Sequence, residues 1–123
     1  MIPKIVVMVL RDDDRILFGK RARAEGHLKG WAPLSTGGHI EKQETPDEAV
    51  VREAKEELGV DVEITRFLGQ IEHGEPLLIF ECKLLRGELK PDPREIQGIR
   101  WVPIRQADKF SCNALSNKVL SLL

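Results

Sequence analysis

Residues 38–60, GHIEKQETPDEAVVREAKEELGV, carry a full set of helix signals. Thr45 stands as an N-cap, Pro46 at the first helical position and Glu48 three residues after the cap. In that pattern side chains satisfy the free N–H groups of the first turn. Val50, Ala54 and Leu58 recur every four residues and mark one buried face. Gly59 stands where a helix ends by turning into the left-handed region. The spacing predicts a helix over 46–58.

Glu53, Glu56 and Glu57 are three and four residues apart on that helix, so they share a face. Like charges so placed cost about 0.2–0.5 kcal/mol per pair. The stripe alone suits a solvated helix. It equally suits a hard divalent cation, which takes oxygen ligands and would cancel the repulsion.

Outward from the helix, residues 4–10 are β-branched and almost continuously apolar, the pattern of a strand buried on both faces. A polar turn over 11–15 and an apolar stretch over 16–21 complete a hairpin. Residues 23–30, with Gly26 and Gly30, read as a loop. Strands are expected over 62–71 and 77–85, with a turn at 73–76 where Pro76 serves as a turn proline. A short strand over 99–102 and a helix over 114–123 follow. Strands mixed with helices on short connections point to one α/β (α+β) layered domain spanning 1–123.

The chain has 123 residues, of which 41% are hydrophobic and 32% charged, with a net charge of -1. That balance belongs to a soluble globular domain and offers no bulk attraction for nucleic acid or membrane. The apolar N-terminal segment is too short to span a bilayer and has no small-residue cleavage site. Cys82 and Cys112 show no metal-ligand spacing and read as reduced thiols, which places the expectation in the cytoplasm. His27 and His73 also lack metal-ligand spacing. Trp31 and Trp101 read as core residues.

From Gly38, five residues lead to Glu44 and seven more to Arg52-Glu53. Ala54, Lys55, Glu56-Glu57, Leu58, Gly59 and Val60 complete the run. Seven positions of fixed identity, at roughly 5–9% usage each, match by accident about once in 10⁸ starting points. This spacing is the Nudix signature, and the chain resembles the Nudix hydrolases, most closely their compact MutT-like members. Gly19-Lys20-Arg21, Trp31 and the 99–103 segment extend the likeness beyond the signature.

The resemblance implies the Nudix fold, a mixed β-sheet between helices with the signature as loop, helix and loop. It implies Mg²⁺ or Mn²⁺ held by Glu53, Glu56, Glu57 and the Gly37 carbonyl. Glu95, six residues before Trp101, matches a further glutamate that completes the metal site or acts as base, and a surface glutamate fits that position equally. Arg52 and Glu44 match a pair that braces the loop beside Gly38 and orients the catalytic carboxylates. Glu53 and Glu95 are the candidates for general base. The implied reaction is hydrolysis of a phosphoanhydride bond in a nucleoside diphosphate derivative.

Arg21 and Arg23 are candidates for substrate phosphates, since guanidinium suits phosphate geometry, or for an edge strand's solvated face. His39 is a substrate candidate or a loop residue bonded to backbone. Asn113 matches a position that presents an asparagine to a guanine base. This favours a nucleoside triphosphate pyrophosphohydrolase releasing monophosphate and pyrophosphate, with an ADP-ribose-type pyrophosphatase second, since Pro76 is placed as in such enzymes. The partner expected is thus a small nucleoside di- or triphosphate, with no nucleic acid or membrane, on a monomer or homodimer. A Gly-Gly-His run also resembles isopentenyl diphosphate isomerases, but those need a cysteine upstream of the signature, and both cysteines here lie downstream. A non-catalytic nucleotide-sensing module would carry a degraded signature, and no position here is replaced.

Overall fold

The computed structural model describes residues 2–21, 31–33, 36–94, 96–110 and 114–123, with backbone alone at 21, 36, 37 and 110. Among the described residues seven strands join in one mixed sheet: β1 (Ile5–Asp12), β2 (Arg15–Arg21), β3 (Trp31–Pro33), β4 (Thr36–His39), β5 (Asp61–His73), β6 (Glu75–Arg86) and β7 (Ile96–Pro103). Their order is β3-β2-β1-β6-β5, with β4 also paired to β1 and β7 to β2. β1 and β6 run parallel from Ile5↔Leu77 to Leu10↔Cys82. The other pairings are antiparallel.

β1 lies inside the sheet, and Val6 through Leu10 are buried without interruption, as a strand covered on both faces requires. Even-numbered Val6, Met8 and Leu10 meet the helix α1 (Pro46–Leu58), which contributes Ala49, Val50, Ala54 and Leu58. Full burial of Val50 or Leu58 stabilises by about 1.5–3 kcal/mol each. Odd-numbered Val7 and Val9 point the other way, to a second core shared with Phe18, Ile79 and Val102. That core is closed by Ala107 of α2 (Ala107–Phe110) and Val119 of α3 (Ala114–Leu120).

α1 keeps the predicted bounds, with both halves of its capping box formed: Glu48 N–H donates to Thr45 Oγ1 (3.1 Å) and Thr45 N–H to Glu48 Oε1 (2.9 Å). Gly59 closes it at φ 72°, its N–H donating to the Lys55 carbonyl at 3.0 Å.

Several boundaries differ from expectation. β1 runs on through Asp12, so the hairpin turn shrinks to Asp13-Asp14. Pro76 stands inside β6, opposite Glu72, instead of in the turn. It is the second residue of that strand, where a missing N–H is tolerated. The strand expected over 99–102 extends over Ile96–Pro103, because backbone pairing with all of β2 carries the less apolar residues along. The C-terminal helix stops at Leu120. Helical turns over 104–110 have no counterpart in the sequence reading.

Candidate active site

β4 delivers the glycine pair to the first turns of α1. Gly37 and Gly38 lie opposite Val7 and Val6 of the buried strand β1, so the position of their backbone is set by the core. A Cβ at Gly38 would stand 2.5 Å from Glu53 Cδ and 2.9 Å from its Oε2. Glycine is therefore what lets the Glu53 carboxylate lie on the β4 backbone.

Arg52 ties the site together. Its Nε donates to Glu44 Oε2 at 2.7 Å and its Nη2 to Glu44 Oε1 at 3.0 Å, a two-pronged contact of guanidinium with carboxylate. Nη2 also donates to the His39 carbonyl at 3.1 Å. Nη1 donates to Glu53 Oε1 at 2.9 Å and to Glu56 Oε2 at 3.2 Å, and Glu41 Oε1 stands 3.5 Å away. One cation thus faces four carboxylates. The fork also explains the connection between loop and helix, since Glu44 and His39 precede α1 and Arg52 is inside it.

Electrostatics follow the contacts. Bonding to Arg52, with the Glu41 N–H at 2.9 Å, holds the Glu44 carboxyl below the usual carboxylate range against a smaller desolvation effect. The bond to Glu44, opposed by desolvation and aided by Glu53, raises the Arg52 pKa, so its charge is permanent. Burial, and secondarily the charges of Glu81 and Asp47, pushes the Cys82 thiol up to about 12, which makes it inert beside the helix.

The sequence candidates divide into three groups. Gly37, Gly38, Glu44, Arg52, Glu53 and Glu56, with the His39 carbonyl, are brought together. The His39 side chain is exposed, and Glu57 lies one residue further along the exposed part of α1. Arg21 ends β2, where only its backbone is described; Arg23, Glu95, Cys112 and Asn113 lie outside the described residues. Glu41 is the contributor that the spacing argument misses, since it falls within the five unrestricted positions after Gly38. Its three-residue separation from Glu44 was the available signal.

Among the described residues no three His, Cys, Asp or Glu side chains stand close enough to share an ion. Between Glu53 and Glu56 stands Arg52 Nη1 instead. The donor chemistry nevertheless fits a hard cation: the groups here are carboxylate and carbonyl oxygens, and the glycine cradle leaves Glu53 against the backbone next to Gly37.

The chain is 31% identical over 107 residues to the NAD-capped RNA hydrolase NudC of Stutzerimonas stutzeri (strain A1501), covering 83% of this chain and 36% of that protein. The chain therefore spans about a third of the length of the NudC relatives it matches. It is 30% identical over 112 residues to the 8-oxo-dGTP diphosphatase of Escherichia coli (strain K12), covering 87% of this chain and 86% of the relative. The crystal structure of a MutT NUDIX hydrolase from Burkholderia pseudomallei superposes with a TM-score of 0.72 at 23% identity, over 100% of this chain and 99% of the other. The NUDIX domain model matches residues 1–122, and the chain belongs to that family.

Proposed function

We propose that this chain hydrolyses a phosphoanhydride bond in a nucleoside diphosphate derivative with the help of Mg²⁺ or Mn²⁺. The observation that carries the reading is the Arg52 hub, which fixes Glu44, Glu53 and Glu56 around the glycine turn. Both named relatives act on compounds containing such a linkage, NAD-capped RNA and 8-oxo-dGTP.

A pyrophosphate resists attack because its oxygens carry negative charge. Glu53, Glu56, Glu57, the Gly37 carbonyl and Glu95 are the groups that would hold a divalent ion. Such an ion supplies positive charge against the phosphate oxygens and makes water more acidic. The chain itself does the positioning. Glu44 and the His39 carbonyl hold two edges of the Arg52 guanidinium, and its third edge aims the Glu53 and Glu56 carboxylates. Glu53 or Glu95 takes the proton from the attacking water. Arg21 and Arg23 are the candidates for substrate phosphates, the His39 side chain for a further substrate contact, and Asn113 for the base.

Within this class a nucleoside triphosphate, cut to monophosphate and pyrophosphate, is the proposed substrate. The near end-to-end match to the 8-oxo-dGTP diphosphatase favours it. The NudC relatives give the second reading, a nucleotide-capped RNA end. Turnover with Mg²⁺ is to be measured on nucleoside triphosphates, ADP-ribose, NAD and an NAD-capped RNA, with products resolved by chromatography. Release of pyrophosphate from a triphosphate supports the first reading, and preference for the capped RNA replaces it with the second. Hydrolysis of none contradicts the enzymatic role and points to a nucleotide sensor.

A further inference from the structure

Residues 87–94, which follow β6, are tied to the helix that carries the carboxylates. Gly87, at φ 102°, lies so close to the end of α1 that a Cβ there would stand 3.0 Å from the Gly59 carbonyl oxygen and 3.2 Å from Val60 Cα. Leu89 packs against the core beneath α1. The Lys90 N–H donates to the Leu58 carbonyl at 2.9 Å, which satisfies one of the acceptors that a helix end leaves open. Asp92 holds the far end. Its carboxylate accepts from the Arg94 N–H and from Arg94 Nη2, each at 2.9 Å, and its carbonyl accepts from the Ile96 N–H at 2.8 Å. The segment is therefore a strap pinned across the C-terminal end of α1, and the backbone of Lys90 is bonded to the residue that follows Glu57.

The charge around that point is one-sided. Glu41, Glu44, Glu53 and Glu56 share Arg52, and the other base of α1, Lys55, has its Nζ 3.7 Å from Asp61. Both cations are engaged. Lys90 is exposed, and no carboxylate among the described residues stands within ion-pair distance of its ammonium. The negative end of the α1 dipole favours a cation at this place. We propose that Lys90 binds the phosphates that leave in the hydrolysis, an assignment that rests on the function proposed above. The strap fixes the backbone, and the four-carbon stem gives the ammonium its reach. A polyphosphate brings negative charge to a helix face that already carries Glu53, Glu56 and Glu57. A held ammonium offsets the charge that builds on the leaving oxygen as its bond to phosphorus breaks. Lys90 keeps its proton throughout; the proton that moves is the one that the attacking water gives up to the base.

Inorganic pyrophosphate is the probe, titrated by calorimetry in the presence of Mg²⁺, so that binding is read without turnover. Lys90→Gln should weaken pyrophosphate binding by about tenfold, the low end for one contact to a charged group. It should lower kcat/KM on a nucleoside triphosphate by a similar factor, and Lys90→Arg should restore most of both. Binding of Mn²⁺ alone should be unchanged or tighter in Lys90→Gln, because a positive charge near the carboxylates is gone; a merely structural role would weaken it. Lys109→Gln, on α2 at the opposite face of the sheet, makes the same change of charge and should alter none of these. The bond to Leu58 belongs to the Lys90 backbone and survives the substitution. Thermal melts check this, and Lys90→Met decides if Lys90→Gln does not fold. Equal pyrophosphate affinity in Lys90→Gln and wild type, a loss matched by Lys109→Gln, or no binding by the wild type overturns the proposal. Pyrophosphate binding that depends on Lys90 in a protein that hydrolyses no nucleotide upholds the phosphate site and contradicts the proposed function instead.

Discussion

Arg52 grips Glu44 with two parallel hydrogen bonds, Nε to Oε2 at 2.7 Å and Nη2 to Oε1 at 3.0 Å, while Nη1 points away to Glu53 and Glu56. The guanidinium is thus anchored through Nε and Nη2 and meets two further carboxylates through Nη1. Lysine cannot reproduce this, because an ammonium is a point charge without a planar fork. Arg52→Lys should keep the fold and lower kcat/KM by about 10–100-fold, the usual cost of losing a group that orients ligands. Melting temperature and kinetics measured together check it; unchanged kcat/KM would remove the positioning role.

The same pair makes stability depend on pH. Glu44 titrates lower in the folded chain than unfolded, chiefly because Arg52 bonds its ionised form. Its contribution is therefore complete above the unfolded carboxyl pKa, about 4.3. It is lost as pH falls through the depressed folded value. Glu44→Gln should melt lower than wild type near neutrality, and the gap should close on acidification below that range. Thermal melts of the two proteins across acidic pH measure this directly. A gap independent of pH would mean that the carboxylate charge contributes nothing.

A substitution at Gly38 should separate folding from activity. The three atoms nearest to a Cβ there all belong to the end of the Glu53 side chain, which can swing aside without moving backbone. Gly38→Ala should therefore fold with a near-normal melting temperature while losing most of its turnover, because Glu53 is pushed off the β4 backbone. Severe unfolding would show that the glycine serves the backbone instead.

Thr45 belongs to the helix alone. Thr45→Ala removes the bond to the Glu48 N–H and should destabilise the protein by about 0.5–2 kcal/mol, with little change in KM. Denaturant melts and steady-state kinetics distinguish this from a catalytic effect.

How far the sequence reveals this molecule depends on which forces act locally. α1 is readable to the residue because Thr45, Pro46, Glu48 and Gly59 each satisfy or end its backbone hydrogen bonds within a few positions. β1 is readable from its apolar run. The extent of β7 is not, since Gln97 and Gly98 show no strand pattern and join the sheet only because β2 lies alongside. The turn at Ile104–Gln106 has no capping side chain to announce it, since its N-cap position is Pro103, without a side-chain hydrogen bond. At the site, the one-dimensional spacing identifies Glu44, Arg52, Glu53 and Glu56 as a group. It says nothing of Arg52 Nη1 standing between two of the glutamates, which depends on side-chain rotamers, nor of Glu41, which joins through its proximity in space.

The most direct test is a Mn²⁺ titration followed by electron paramagnetic resonance, in which free Mn²⁺ gives the signal and bound ion is silent. Wild-type protein should remove Mn²⁺ from solution, while Glu53→Gln, Glu56→Gln and Glu57→Gln should each bind it at least about tenfold more weakly, with their melting temperatures little changed. Equal binding by all four proteins, or none by the wild type even with a nucleotide diphosphate present, would contradict the account.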